Sequence, residues 1–196
     1  MDVKYVPTVC CVGTDGEKFC QYTMIDEASR ERFIYAYRKQ SSYATVDFVK
    51  RAIIYFGYAP ETIQTDNGSE FTHSAKTNRF HPLDILCQRL NVRHKTIRPK
   101  TPWHNGKVEC SHRNDQERFY NHLRFYSYED LQLQMKLCLR RANRIPMSVL
   151  GWISPLEKRR EIEATRLASD SARATPSLRQ KLTRLHDKLN RPVSHH

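Results

Sequence analysis

The spacing of apolar residues changes period once in the first third of this chain, and that change limits what it can fold into. Val3 to Val12 is rich in Val, Tyr and Thr, Gly13 to Gly16 reads as a turn, and Lys18 to Ile25 is again strand-like. Arg32 to Tyr37 reads as a third strand, so three consecutive strands form an antiparallel meander. Then Val46, Val49, Ile53 and Phe56 recur at helical spacing, with Ser41 or Ser42 as N-cap and Gly57 and Pro60 as the stop. Thr62 to Asp66 is a short buried strand that ends in the turn Asn67 to Glu70, and this puts the Asp66 carboxylate at the strand end.

Beyond that strand, residues 72–82 read as a polar loop, Leu83 to Leu90 as a helix and Val92 to Ile97 as a fifth strand. Pro99 and Pro102 break the chain before a helix from about Asn105 to Leu123. Ser127 to Asp130 resembles a capping box, and Leu131, Met135, Cys138 and Ala142 give the next helix an apolar stripe. This order is the α/β, ribonuclease H-like arrangement, a mixed five-stranded sheet flanked by helices. We expect residues 1–156 to form that core. Residues 157–196 read as a basic helical tail, broken at Pro176.

Composition narrows the partner. Residues 1–92 hold 11 Lys/Arg against 11 Asp/Glu, whereas residues 93–196 hold 22 against 10 and so carry the whole excess of +12. A basic half calls for a polyanion, and nucleic acid is the usual one, because each phosphate neutralised releases counterions. The longest apolar stretch, Ala52 to Ala59, is far too short to span a bilayer, and nothing marks the N-terminus for secretion, so a cytoplasmic location and no membrane partner are expected. The six cysteines make no C-x-x-C pair and read as reduced thiols, and with the nine histidines they form no zinc pattern.

Two-metal phosphoryl transfer requires carboxylates from the centre of one strand, the end of its neighbour and a facing helix, so that two divalent ions sit about 3.5–4 Å apart. Asp2, Asp66 and Glu109 fit those three places, with Asp26 on the next strand as a rival to Asp2 that reads as structural through Ser29. At these residues the sequence resembles bacterial insertion-sequence transposases with a retroviral-integrase-type catalytic core, the DDE group. The matching stretches are Asp2 to Val6, Ile25 to Arg32, Thr65 to Phe71, Pro102 to Glu109 and Asn143 to Pro155, five blocks in the family's order.

The resemblance implies DNA transposition, in which water cleaves the element's end and the freed 3′-hydroxyl attacks target DNA. It implies two Mg²⁺ or Mn²⁺ ions on Asp2, Asp66 and Glu109, DNA ends and target DNA as partners, a homo-oligomer on DNA and a bacterial cytoplasm. His104, Asn105 and Lys107 precede Glu109, and His112, Arg113 and Gln116 follow it on one helical face; Gln116 stands where many relatives have a basic residue. We expect His104, Asn105, Lys107, His112 and Arg113 to contact DNA, and Arg93, Lys95, Arg98 and Lys100 to form a phosphate track. A complete relative would carry helix-turn-helix segments upstream, so the expectation is a piece of a longer reading frame that alone joins strands weakly or not at all. Two alternatives stay open: a truncated, inactive DNA-binding core, and a ribonuclease H-type nuclease.

Overall fold

Pro7 decides where the first strand ends, because it has no N–H to give a ladder. In the computed structural model, which describes residues 1–12, 17–73, 79–97, 106–170 and 185–186, β1 spans Asp2–Tyr5. The expected run to Val12 is therefore too long: Thr8–Cys10 is a 3₁₀ turn, and Cys11 bridges to Phe125. The expected turn at Gly13 to Gly16 lies outside the described residues.

The chain divides into two units. The first consists of Met1–Gln40 with Pro102–Ala174, and the second of Ser41–Thr101 with Thr175–His196. In the first, β1 pairs antiparallel with β2 (Cys20–Ile25), and β2 with β3 (Arg32–Tyr37). Central β2 is buried at almost every position, so it shows an unbroken run rather than alternation. Helix α3 (Gly106–Arg118) packs on β2, and α4 (Tyr128–Ala142) on β3. α3 stops short of the expected Leu123, because Tyr120 turns into the core within a 3₁₀ turn and its hydroxyl donates to Gln21.

The capping box of α4 is present in shifted form. Ser127 Oγ accepts from the Asp130 N–H at 3.1 Å, while Asp130 Oδ2 accepts from the Tyr126 N–H at 3.0 Å. Leu131, Met135 and Leu139 make its buried stripe; Cys138 and Ala142 are only half-buried. Helix α5 (Pro155–Asp170) is tied to this unit by Arg159, whose Nη1 lies 2.8 Å from the buried Glu31 Oε2.

The second unit begins with α1 (Ser42–Phe56). Ser41 Oγ accepts from the Ala44 N–H at 3.1 Å, and left-handed Gly57 (φ 77°) closes it. Phe48, Val49, Ala52, Ile53 and Phe56 are buried, toward Leu83, Leu86, Cys87 and Leu90 of α2 (Pro82–Leu90). At roughly 2 kcal/mol for each large side chain removed from water, these rows are what hold the unit together. Strands β4 (Thr62–Thr65) and β5 (Arg93–Thr96) run parallel, Ile63 opposite His94 and Thr65 opposite Thr96.

The fold is thus α/β and ribonuclease H-like, with five strands among the described residues. The single five-stranded sheet is corrected in its pairing: ladder bonds join β1–β2–β3 as one sheet and β4–β5 as another. No helix among the described residues is long and apolar enough to cross a membrane, and all six cysteines are free thiols.

Candidate active site

In the first unit the site is built on β1, β2 and α3. Asp2 lies opposite Thr23 in the ladder, and its Oδ1 accepts the Val3 N–H at 2.8 Å. Its Oδ2 is 3.6 Å from His112 Nδ1, and both side chains are mostly buried, 15% and 14% exposed. His112 Nε2 is 3.2 Å from Thr23 Oγ1, and the His112 carbonyl accepts from Lys4 Nζ at 3.1 Å. Burial, aided by the Lys4 charge, pushes the His112 ring down to about 4, so it is neutral at neutral pH. Burial likewise lowers Lys4, whose ammonium sits 4.5 Å over the Tyr120 ring.

Glu109 is in the first turn of α3 and exposed. The inward face of that helix carries Val108, Ser111 and Asp115, with His112 half-buried beside them, and the outward face carries Glu109, Arg113 and Gln116. Of the three residues expected on the Glu109 face, Arg113 and Gln116 share its exposure, while His112 is turned toward β1 and β2. Below them lies a polar layer that spacing gave no sign of. Arg32 Nη2 meets Asp115 Oδ1 at 2.7 Å, Arg32 Nη1 donates to Ser111 at 2.6 Å, and Gln21 Nε2 donates to Asp115 Oδ2 at 2.8 Å. Asp26 serves its own turn: its Oδ2 accepts from the Ser29 N–H at 2.7 Å and the Ser29 hydroxyl at 2.6 Å.

In the second unit, Asp66 follows β4 directly, and its Oδ1 accepts the Gly68 N–H at 2.9 Å. Asn67 Nδ2 donates to the Ile97 carbonyl at 2.9 Å and the Thr45 hydroxyl to the Glu70 carbonyl at 2.9 Å, so β5 and α1 both fix this turn. A side chain at Gly68 would collide with the Glu70 carboxylate, its Cβ only 2.6 Å from Oε2. β5 alternates: Arg93 and Lys95 are exposed, while His94 is turned in, 2.6 Å from Asp84 Oδ1 and 2.9 Å from Thr65 Oγ1. Arg98, Lys100, His104 and Asn105 lie outside the described residues, as does the side chain of Lys107.

Asp2 and Glu109 thus belong to one unit and Asp66 to the other. Within either unit, no group of three or more His, Cys, Asp or Glu side chains converges among the described residues. Each of the three taken singly is a carboxylate, the ligand type that Mg²⁺ and Mn²⁺ prefer. Among the described residues the Glu109 side chain makes no hydrogen bond or ion pair, and the Asp66 carboxylate uses only Oδ1.

The profile of the family described as integrase core domain matches residues 1–102. A protein of Spiroplasma virus SpV1-C74, provisionally named integrase ORF3, is 35% identical over an alignment of 125 residues that covers 58% of this chain. The chain spans only 33% of that relative's length. Among solved structures, the catalytic core domain of BIV integrase superposes with a TM-score of 0.59 at 18% identity, covering 85% of this chain and 96% of that one. The HTLV-2 integrase catalytic core domain, solved in complex with magnesium in a trimeric form, gives 0.58 at 17%, covering 81% and 92%. A chain in the structure of the simian T-cell lymphotropic virus intasome in complex with PP2A regulatory subunit B56 gamma gives 0.58 at 16%, covering 81% and 52%.

Proposed function

This chain belongs to the integrase core domain family, and we propose on that premise that it is the catalytic core of a DNA transposase of insertion-sequence type. The observation that carries the reading is the placement of three acids in chain order: Asp2 on β1, Asp66 directly after β4 and Glu109 in the first turn of α3. The proposed reaction is two successive phosphodiester exchanges. Water attacks the element's end, and the freed 3′-hydroxyl then attacks a phosphodiester of target DNA.

Asp2, Asp66 and Glu109 would hold two Mg²⁺ or Mn²⁺ ions. Bound there, such ions would favour deprotonation of the attacking oxygen and offset charge on the leaving one. The remaining work falls to side chains. Arg93, Lys95 and Arg113 are exposed cations positioned to take phosphates, and Arg98, Lys100, His104, Asn105 and Lys107 are assigned to the same DNA track. The Gly68 N–H and the two bonds that fix its turn keep the Asp66 carboxylate in one orientation. We assign residues 157–196 as a basic tail outside the 1–156 core, a homo-oligomer on DNA as the working form and a bacterial cytoplasm as its location.

The test pairs ion binding with chemistry. Mg²⁺ or Mn²⁺ should raise the melting temperature of the wild type, and Asp66→Asn or Glu109→Gln should abolish that rise. The same preparation should join oligonucleotide ends to a target duplex in the presence of Mn²⁺. A melting shift that survives both substitutions would remove the carboxylate assignment, and cleavage of RNA–DNA hybrid without any joining would replace the transposase reading by a nuclease.

A further inference from the structure

The loop between α4 and α5 holds a tryptophan away from the protein. Asn143 anchors its start: its Oδ1 accepts the Arg32 N–H of β3 at 3.1 Å and its Nδ2 donates to the Arg32 carbonyl at 2.8 Å. Buried Ser154 and Pro155 anchor its return, and the Leu156 N–H closes the base by donating to the Asn143 carbonyl at 3.1 Å. Between these points the backbone bonds to itself. The Met147 N–H donates to the Ile153 carbonyl, those of Leu150 and Trp152 to the Met147 carbonyl and that of Gly151 to the Ser148 carbonyl, each at 3.0 Å. A loop so bonded keeps its shape without a partner.

What this frame displays is apolar and strained. Trp152 is 74% exposed and Val149 69%. Gly151 (φ 72°) is followed by Trp152 at φ 65°, in the left-handed region that a bulky side chain rarely takes. Such strain clusters at ligand-binding positions. The charge around the ring has one sign. Arg140 and Arg141 end α4 and Arg144 opens the loop; all three are exposed, none makes an ion pair among the described residues, and residues 140–156 contain no Asp or Glu. Glu157, the next acid, is engaged by the Ser154 N–H at 2.7 Å and the Ser154 hydroxyl at 2.6 Å. Arg144 stands three residues before Met147, so its Cα lies within about 11 Å of the residue whose carbonyl holds Trp152.

An exposed indole can be covered by a protein face or by a nucleic acid base. A stable protein interface takes about 800 Å² from each side, and one Trp supplies at most about 250 Å². The residues from Arg144 to Val149 are exposed as well, so the tip stands out and lines no hollow. A base needs one ring face, with cations beside it for the adjoining phosphates, and both are present. We propose that Trp152 is a stacking platform for an unpaired DNA base, with Arg140, Arg141 and Arg144 holding the phosphates on either side of it. The proposal deepens the reading of this chain as one that acts on DNA, and rests on it.

The sequence holds two tryptophans, so Trp103→Phe leaves Trp152 as the single indole emitter. In the full 196-residue chain with that change, oligothymidylate should quench the emission. A blunt duplex should bind with little quenching, and an abasic oligonucleotide, which keeps only sugar and phosphate, should bind with none. Binding without quenching by oligothymidylate, or equal quenching by all three, would overturn the platform. Trp152→Gly should weaken oligothymidylate binding by about tenfold, and Trp152→Phe should recover most of it; unchanged affinity in Trp152→Gly would overturn the proposal. Because glycine relieves the left-handed strain, Trp152→Gly should not lower the melting temperature, and a drop would show that the ring packs on the protein instead. Changing Arg140, Arg141 and Arg144 together to Gln should flatten the log-affinity against log-salt slope by about 2 units, and an unchanged slope would overturn their part. A blue shift of the emission as protein concentration rises without DNA would place a second copy of the chain on the ring and overturn the proposal. Failure of the wild type to bind either single-stranded or duplex DNA would overturn the DNA reading itself, whereas binding without quenching overturns the platform alone.

Discussion

Gly68 is the position where adding one carbon should be felt most directly at the Asp66 turn. A Cβ built there lies 2.6 Å from Glu70 Oε2 and 2.7 Å from Cδ and Oε1, where ordinary contact begins at 3.4 Å. Relief requires the Glu70 carboxylate to retreat by about 0.8 Å, in a core that gives way only with strain. The Glu70 carboxylate is the far end of a flexible side chain, but at 7% exposure it can retreat only into packed surroundings. Gly68→Ala should therefore cost about 2 kcal/mol, the middle of the range for overpacking. Urea denaturation should show this as a lower midpoint at unchanged slope. The reasoning is specific to one contact, so a double-mutant cycle tests it: with Glu70→Ala already made, Gly68→Ala should cost less than about 0.5 kcal/mol or even stabilise, by restricting the unfolded chain. An equal cost in both backgrounds would refute the collision and leave the Asp66 turn without its proposed reason for glycine.

Other consequences follow from named contacts. Arg93→Gln with Lys95→Gln should flatten the slope of log affinity against log salt for duplex DNA by up to about 2 units, and an unchanged slope would make these two a solvated face. His81 Nδ1 accepts the Leu83 N–H at 3.2 Å, which only the neutral ring can do, and burial followed by the His73 charge holds this histidine below its ordinary value. The stability it contributes is fully present above the ordinary histidine range and is lost as pH falls through its lowered folded value. Urea midpoints measured from about pH 7.5 down to about pH 5 should decline less steeply in His81→Asn. Arg159→Ala leaves the buried Glu31 carboxylate without its cation and should cost about 3 kcal/mol, with faster amide exchange throughout α5; exchange unchanged there would show the helix is docked by other contacts.

What was legible in the sequence follows from how local its cause is. α1 could be read end to end because its cap, stripe and stop all lie between Ser41 and Gly57. β3 could be read at both ends because its aromatic and aliphatic residues, with Ile34 and Ala36 alternating inward, all lie within a single hexapeptide. The 3₁₀ turn at Thr8–Cys10 was missed because Pro7 stops the strand without breaking its β-rich composition. The start of α2 was missed because its cap is His81, whose ring nitrogen does what Ser or Asp oxygen usually does. Asp66 was legible because the Asn67-Gly68 turn after it is local. The pairing of Asp115 with Arg32 and Gln21 was not, because these partners come from strands some 80 to 95 residues away in the chain.

The same distinction qualifies the charge argument that first pointed to a polyanion. The excess of +12 counts every cation alike, but the fold assigns them different tasks. On α5, Arg159 is engaged by Glu31 and Glu163 and Lys158 by Glu161, so these cations arrive at any phosphate already partly neutralised. Arg32 is mostly buried against Asp115 and Ser111 and faces no solvent phosphate. By contrast Arg93, Lys95 and Arg113 are exposed, and none of them makes an ion pair among the described residues. A phosphate reaching them displaces water and counterions rather than a protein carboxylate, and counterion release is what drives affinity for DNA. Among these cations, those on β3 and at the start of α5 hold the fold together, whereas those on β5 and α3 remain available to bind.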